Sequence, residues 1–571
     1  MLLLLFKYSG LGFRRYMGTR TVAKAITIAL FVLLVVAIAV GIFFFVRAGF
    51  TLMQHEAYGR ETLPLYTYEV FFLVLGYLMF VSAVISALFT LFRAGANEWV
   101  AATPNYKILL VGSILRIFES SLWPLLVIGL PAVIALAGVY GGGAAAVLSA
   151  LVGLVLLAAG ASGSAIVFIM ALAALFYVAQ GAKAGLLQMK WLALAAAALV
   201  GGATYFMARR IADMDIVRLF VSGPLAAAQA DVSGITAAFW YVPTHGMALI
   251  MLALQDHAWL LAWSYLAALA LAVAVVGVLI WLLSFAYLPV WQRLQEQDFE
   301  ARTALGDDAD AAARTAANEP PRAFPRYFRS PIGAIFEKEA VTTFRSLRDL
   351  LWILFMLGLW IIQSALNLFL HRNSAEYGVS TATIVAAIQS LQVATTVFFT
   401  STFSLRFALP SFSVDRRMRW ILGTAPISPR AVFFSKLAFY SAVFLVFGLG
   451  LGIANASILG VPIVQVGLFL ATIAVMVLAI TTFGLALGAR FPNTESDDPE
   501  IVSTSLPGLG FTFLSLGYGA LGTWIFYQAL LVGALAPLAA FVALSALFII
   551  AAAATLSQDL GTFNPFVEDI G

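Results

Sequence analysis

Ile384–Leu409 reads IVAAIQSLQVATTVFFTSTFSLRFAL, and Asp415–Lys436 reads DRRMRWILGTAPISPRAVFFSK. The first is long and apolar enough to cross a bilayer as a helix, which takes about 20 residues. The second carries Arg416, Arg417, Arg419, Arg430 and Lys436 beside Trp420, and prolines 426 and 429 break it. Ala431–Ile453 is again a run of membrane length. A basic, partly amphipathic segment with prolines between two such runs predicts a short cytoplasmic loop holding a helix along the membrane surface. Its arginines have two readings. They hold the chain's orientation, or they form a docking surface for a cytoplasmic partner.

The same alternation fills the chain. Of 571 residues, 62% are hydrophobic and 11% charged, with mean hydropathy +0.99. That balance excludes a soluble domain of this size and predicts an all-α polytopic membrane protein. Barrel strands alternate in hydrophobicity, whereas these runs are continuous. Twelve spans are expected: 25–46, 70–92, 108–138, 145–180, 190–208 and 259–289, then 350–370, 382–409, 431–457, 462–488, 508–526 and 529–556. With the N-terminus cytoplasmic, only Arg47, Arg60, Arg209, Arg210, Arg218 and Arg372 of the 32 Lys and Arg lie outside. This is the positive-inside pattern, with both termini cytoplasmic, and a bacterial inner membrane is the expected location. Cysteine is absent, and the four histidines have no metal-ligand spacing, so no metal site is expected. No nucleic-acid partner is expected.

The chain divides into a first six-helix half (1–290), a cytoplasmic linker (291–330) and a second six-helix half (331–571). The linker is polar and Ala-rich and ends in Pro320, Pro321 and Pro325. Three groups of echoes in the same order suggest a duplicated six-helix unit. Lys7, Phe13 and Arg14 recur as Lys338, Phe344 and Arg345. Trp99, Thr103 and Pro104 recur as Trp420, Thr424 and Pro426. Gly181-Ala182-Lys183 recurs as Gly488-Ala489-Arg490. The long segment Arg209–His257 is expected to form short helices in the outer interface.

Chemistry-bearing motifs are few. No GxxxxGK[ST] occurs, so no nucleotide-binding or catalytic motif is expected here. Arg116 and Glu119, one turn apart, read as a structural pair. Gly160-Ala161-Ser162-Gly163 looks like a rhomboid-protease nucleophile motif, but no span contains the histidine such a serine needs, so a small-residue packing face is expected. Gln389, Gln392, Thr396, Thr400 and Ser404 recur every three or four residues, on one helix face. They read either as interhelical hydrogen-bonding groups or as the wall of a path for an amphiphilic substrate. Few mid-membrane carboxylates weigh against the alternative function, an ion-coupled secondary transporter.

EKEAVTTFRSLRD (Glu337–Asp349), RWILGTAPISPRAVFFSK and the GARFPN…DDPEIVSTS segment together resemble the permease subunits of type-2 ATP-binding cassette exporters. The resemblance implies a transmembrane permease with two fused six-helix halves and separately encoded ATPase subunits, two per chain, holding ATP and Mg. This chain itself would then be no enzyme and hold no cofactor. It further implies that Glu337, Lys338, Glu339, Arg345 and Arg348 contact the ATPase. Arg416, Arg417, Arg419, Trp420, Thr424 and Pro426 would do the same, with Trp99, Thr103 and Pro104 in the first half. The exported substrate is not implied.

Overall fold

A computed structural model describes residues 22–55, 62–92, 107–140, 143–180, 189–213, 242–316, 331–345, 347–372, 381–415, 428–458, 461–492, 502–503, 505–533 and 535–559. Among these residues there are helices and no strands. The protein is thus an all-α polytopic membrane protein.

The first part of the chain forms α1 (Val22–His55), α2 (Thr62–Leu91), α3 (Lys107–Pro124), α4 (Leu130–Tyr140), α5 (Gly143–Gln180) and α6 (Met189–Asp213). They are followed by α7 (Pro243–Gln255) and α8 (Trp259–Ala316). The later part forms α9 (Pro331–Arg345), α10 (Leu347–Arg372), α11 (Thr381–Phe403), α12 (Ser411–Val414), α13 (Pro429–Ile458), α14 (Ile463–Arg490), α15 (Leu506–Val532) and α16 (Leu535–Asp559). The expected spans lie on helices for most of their length, but 529–556 straddles the end of α15 and most of α16, with Gly533 between them at φ +71°. Eight stretches among the described residues are long and apolar enough to cross a membrane, against the twelve expected. Val32–Ala48, Trp191–Met207 and Trp352–Ile361 are apolar but shorter, and α11, which carries the polar row, is not among the eight.

Two π-helical turns interrupt the spans, at Leu125–Gly129 between α3 and α4 and at Ser404–Ala408 after α11. The cause is the same in both. Val127 and Arg406 each have a proline, Pro131 and Pro410, four residues on, where an α-helix needs an N–H donor. The ladder shifts by one residue, so Leu409 N–H donates to the Ser404 carbonyl at 2.8 Å.

The helices form two compact units. One comprises Val35–Ala323 with Leu347–Gly358; the other takes in Phe324–Ser346 and Leu359–Gly571, with the start of α1. In the first unit, small residues let α5 approach α8 and α7 closely. A Cβ on Gly163 would lie 2.5 Å from Val276 Cγ1, and one on Gly153 2.7 Å from Met247 Sδ. Ser162 donates to the Ala158 carbonyl at 2.8 Å within this face, which is therefore packing surface.

Two expectations are corrected here. The helix α7, expected in the outer interface, is instead inserted into the bundle: Met247, Ala248 and Ile250 are fully buried. Its residues continue the apolar cluster formed by α2, α4, α5 and α8, because six of its eight buried side chains (Met247, Ala248, Ile250, Met251, Ala253 and Leu254) are apolar. Arg116 and Glu119 are both exposed and form no ion pair with each other. The linker stretch begins as a continuation of α8, which runs unbroken to Ala316.

Candidate functional site

The second unit contains a buried group of charges where three segments meet. Ile335 and Glu339, one turn apart on α9, are both buried. The same face carries Phe336, whose ring meets Phe439 of α13 edge to face at 5.2 Å. On α13, Lys436 and Tyr440 are again one turn apart and point back at α9. The short α12 ends at Asp415, completing the group.

Lys436 is its centre. Its side chain is 0% exposed, and Nζ donates to Glu339 Oε1 at 2.6 Å and to the Ser411 carbonyl at 3.1 Å. Asp415 Oδ2 lies 2.8 Å away as an ion-pair partner, off the hydrogen-bond direction. The ammonium also stands 5.1 Å from the centroid of the Phe412 ring. Glu339 takes a second donor through Oε2, from the Tyr440 hydroxyl at 2.9 Å. Lys338, 31% exposed, closes the ring by bonding Asp415 and by donating to Glu339 Oε1 at 3.1 Å.

Two cations and two anions sum to zero. That balance is what permits burial, since an isolated ion in such surroundings would neutralise itself by losing or gaining a proton. Burial works against ionisation of Asp415, yet the combined attraction of Lys436 and Lys338 outweighs it and holds the carboxyl below the usual carboxylate range. Desolvation likewise acts to lower Lys338, and Glu339 and Asp415 more than reverse it, holding the ammonium above its ordinary value. The group joins α9, the end of the α11–α12 segment and the start of α13.

A second buried pair lies in the first unit. Glu69 is fully buried on α2, and its Oε1 bonds His245 Nδ1 of α7. His245 is the third residue of α7, so the carboxylate also sits near a helix N-terminus, where the dipole favours negative charge. Tyr68 donates to Gln255 Oε1 at 3.0 Å at the other end of α7. The sequence reading missed this pair. Glu69 stands one residue before the expected second span, and His245 was assigned to an external loop. A carboxylate one position outside an apolar run, with a histidine in a Gly- and aromatic-rich loop, was the available signal.

The polar row on α11 is enclosed: Gln389, Gln392, Thr396, Thr400 and Ser404 are all at most 1% exposed. It faces α13 and α14. Thr396 Cγ2 abuts the face of Gly448, and Ser404 that of Gly484. Thr396 donates to the Gln392 carbonyl at 2.7 Å, whereas the Gln389 amide and the Thr400 and Ser404 hydroxyls have no partner among the described residues.

Of the other expected contact residues, the structure unites Lys338 and Glu339 in the joint, with Glu337 beside them on α9. Arg345 closes α9 and Arg348 lies in the first turn of α10. Trp99, Thr103 and Pro104 lie outside the described residues, as do Arg416, Arg417, Arg419, Trp420, Thr424 and Pro426.

The sequence matches, over residues 20–556, the family described as "Putative ATP-binding cassette". The chain belongs to that family, and it is a membrane-embedded, multi-pass member of it. No curated protein and no solved structure matches.

This match corrects several expectations. The sequence resemblance implies the permease subunit of a type-2 exporter, with an ion-coupled secondary transporter as the alternative. It also implies no nucleotide-binding function and no cofactor in this chain, with ATP and Mg confined to a partner. An ATP-binding cassette description spanning nearly the whole chain overturns that division. The short basic and proline-containing motifs report topology, and topology does not say where nucleotide chemistry resides. The residues themselves do not fit a phosphate cradle of the usual kind. No GxxxxGK[ST] occurs in the sequence, and no strand-to-helix Gly-rich turn is present among the described residues.

Proposed function

We propose that this chain is a membrane-embedded transport component of the ATP-binding cassette family in which the α9 joint carries movement between the membrane surface and the membrane helices. The observation behind this is the fully buried Lys436, paired with Glu339 and Asp415, where α9, α12 and α13 meet. Buried charges are expensive and are weak sources of stability, but they fix one geometry against others. A surface helix locked in this way cannot slide over α13 without separating charges out of reach of water. A push on α9 therefore becomes a tilt of α13 and of the π-helical end of α11. Glu337 lies on α9 beside the joint and would meet whatever delivers that push. The distribution of Lys and Arg supports an orientation with both chain ends on the cytoplasmic side.

The chain has no cysteine, so labels can be introduced at will. Spin labels at T342C and L514C, two exposed positions in the second unit, report the distance between α9 and α15 in native membranes. ATP is expected to change that distance in the otherwise unmodified chain and to leave it fixed in the K436M background. A distance insensitive to ATP in those membranes would overturn the reading.

A further inference from the structure

In the first unit α7 is fastened to α2 at three places. Thr244 Cγ2 lies over Gly76, where a Cβ would come within 2.5 Å of it, Tyr68 donates to Gln255 Oε1 at 3.0 Å, and Glu69 Oε1 bonds His245 Nδ1. Only the last joins an acid to a base. Glu69 stands within the apolar stretch Thr67–Leu91 and its side chain is 0% exposed; that of His245 is 7% exposed. The described helices around the pair bring no further charge to it. α4, α5 and the part of α8 from Trp259 to Gln292 carry none, while Arg47 of α1, Arg116 and Glu119 of α3 and Arg209 of α6 are exposed. Asp256 and His257 are exposed beyond the far end of α7, and Tyr68 and Tyr265 are the other titratable groups of the surrounding cluster.

The pair can hydrogen-bond with one titratable proton or with none, but its charge differs between the two. With one it is neutral, as imidazolium with carboxylate or as imidazole with carboxylic acid. With none its charge is minus one and with two it is plus one, in surroundings where an unbalanced ion is costly. A buried carboxylate stays ionised by itself where several donors surround it. Glu69 has the one from His245, since Oε2 is buried with no partner among the described residues. The α7 N-terminus adds only about half a positive charge. One proton is therefore what the docked pair binds.

We infer that Glu69 and His245 are a one-proton site and that this proton latches α7 into the bundle. Once α7 leaves, both groups meet water, where a glutamate carboxyl titrates near about pH 4.3 and an imidazole near about 6.5. The released pair then binds two protons below the first value, one between the two and none above the second. Docking thus takes up a proton above about pH 6.5 and gives one up below about 4.3, so the docked state is favoured most between them. Above that window each pH unit weakens docking about tenfold, which amounts to about thirtyfold from pH 5.5 to 8.0. A pair that kept its carboxylate beside a neutral ring would dock equally well at every pH above about 6.5. The site lies in the first unit and stands apart from the α9 joint on which the transport reading rests.

The test is hydrogen–deuterium exchange of the purified chain in lipid nanodiscs between pH 5.5 and 8.0, read by mass spectrometry. Each rate is divided by the chemical exchange rate at that pH, and peptides from α5 are the internal reference. In the unmodified chain the protection of α7 amides is expected to fall about thirtyfold over that range while α5 holds steady. E69Q still accepts from the ring but carries no charge, so its docked pair is neutral without a titratable proton. Its released imidazole takes one up below about pH 6.5, so its α7 should loosen as the pH falls, about tenfold at 5.5 relative to 8.0. E69Q/H245Q removes both titrating groups and should show no slope. Flat or rising α7 protection from pH 6.5 to 8.0 in the unmodified chain would overturn the inference without reference to any variant. So would the unmodified chain's slope persisting in E69Q or in the double variant.

Discussion

Replacing Lys436 by Met should cost far more than a surface charge would. The side chain is 0% exposed, and its removal leaves Glu339 and Asp415 facing only Lys338, so the enclosed charge goes from zero to minus one. Breaking a buried ion pair on one side costs about 3–5 kcal/mol, because the surviving charge stays desolvated. Two further donors disappear at the same time, to Glu339 and to the Ser411 carbonyl. Lys338, at 31% exposure, recovers part of the loss by moving toward Glu339, which favours the lower end of that range. The double variant K436M/E339Q is the informative control: it restores neutrality, with Lys338 and Asp415 still paired. Its cost should be smaller than that of K436M alone, giving a coupling of about 1–3 kcal/mol between the two positions. The assay is reversible unfolding in mixed micelles with rising SDS, followed by circular dichroism. A cost below about 1 kcal/mol for K436M, or simple additivity in the double variant, would refute an energetic joint.

The joint should also shape the pH dependence of stability. Asp415 is held below its ordinary value, so its contribution is complete above the unfolded carboxyl value near 4 and is lost as pH falls through the folded one. Lys338 is held above its ordinary value, so its contribution is complete below about 10.4 and is lost as pH rises through the folded value. Unfolding midpoints should be flat between these limits, with D415N removing the acid limb and K338M the alkaline one. In the first unit, E69A should leave the His245 ring unpaired and loosen α7, at a cost of about 1–3 kcal/mol, while E69Q, which still accepts from Nδ1–H, should cost less. Limited proteolysis near residue 242 reads this out, and equal cleavage of both variants would count against the pairing. A Cβ at Gly488 would meet the Leu409 carbonyl oxygen at 2.1 Å, whereas one at Gly450 meets nothing within 4 Å. G488A should therefore destabilise by about 1–3 kcal/mol and G450A should not, in the same SDS titration.

Much of the architecture was legible because bilayer crossing is a local property: a run of apolar residues must become a helix wherever it sits in the fold. The helices, the small-residue face of α5 and the spacing of the α11 row all follow from residues close together in the chain. Proline placement was legible in part. Pro131 and Pro410 announce a disturbed helix, but the choice of a π turn over a kink depends on what packs alongside.

The charged joint was not legible. Glu339 and Lys436 are 97 residues apart, and Lys338 and Asp415 are 77 apart. Each reads in sequence as one more charge at a membrane edge, and only the approach of α9 to α13 turns them into a neutral buried group. Glu69 and His245 present the same problem across 176 residues, compounded by a segment whose burial its composition does not announce. The sequence alone determined that this chain lives in a membrane as a bundle of helices, since that outcome depends on the free energy of each segment in lipid. Which polar groups meet inside the bundle was decided by tertiary packing, because a pairwise contact depends on how two distant helices are brought together.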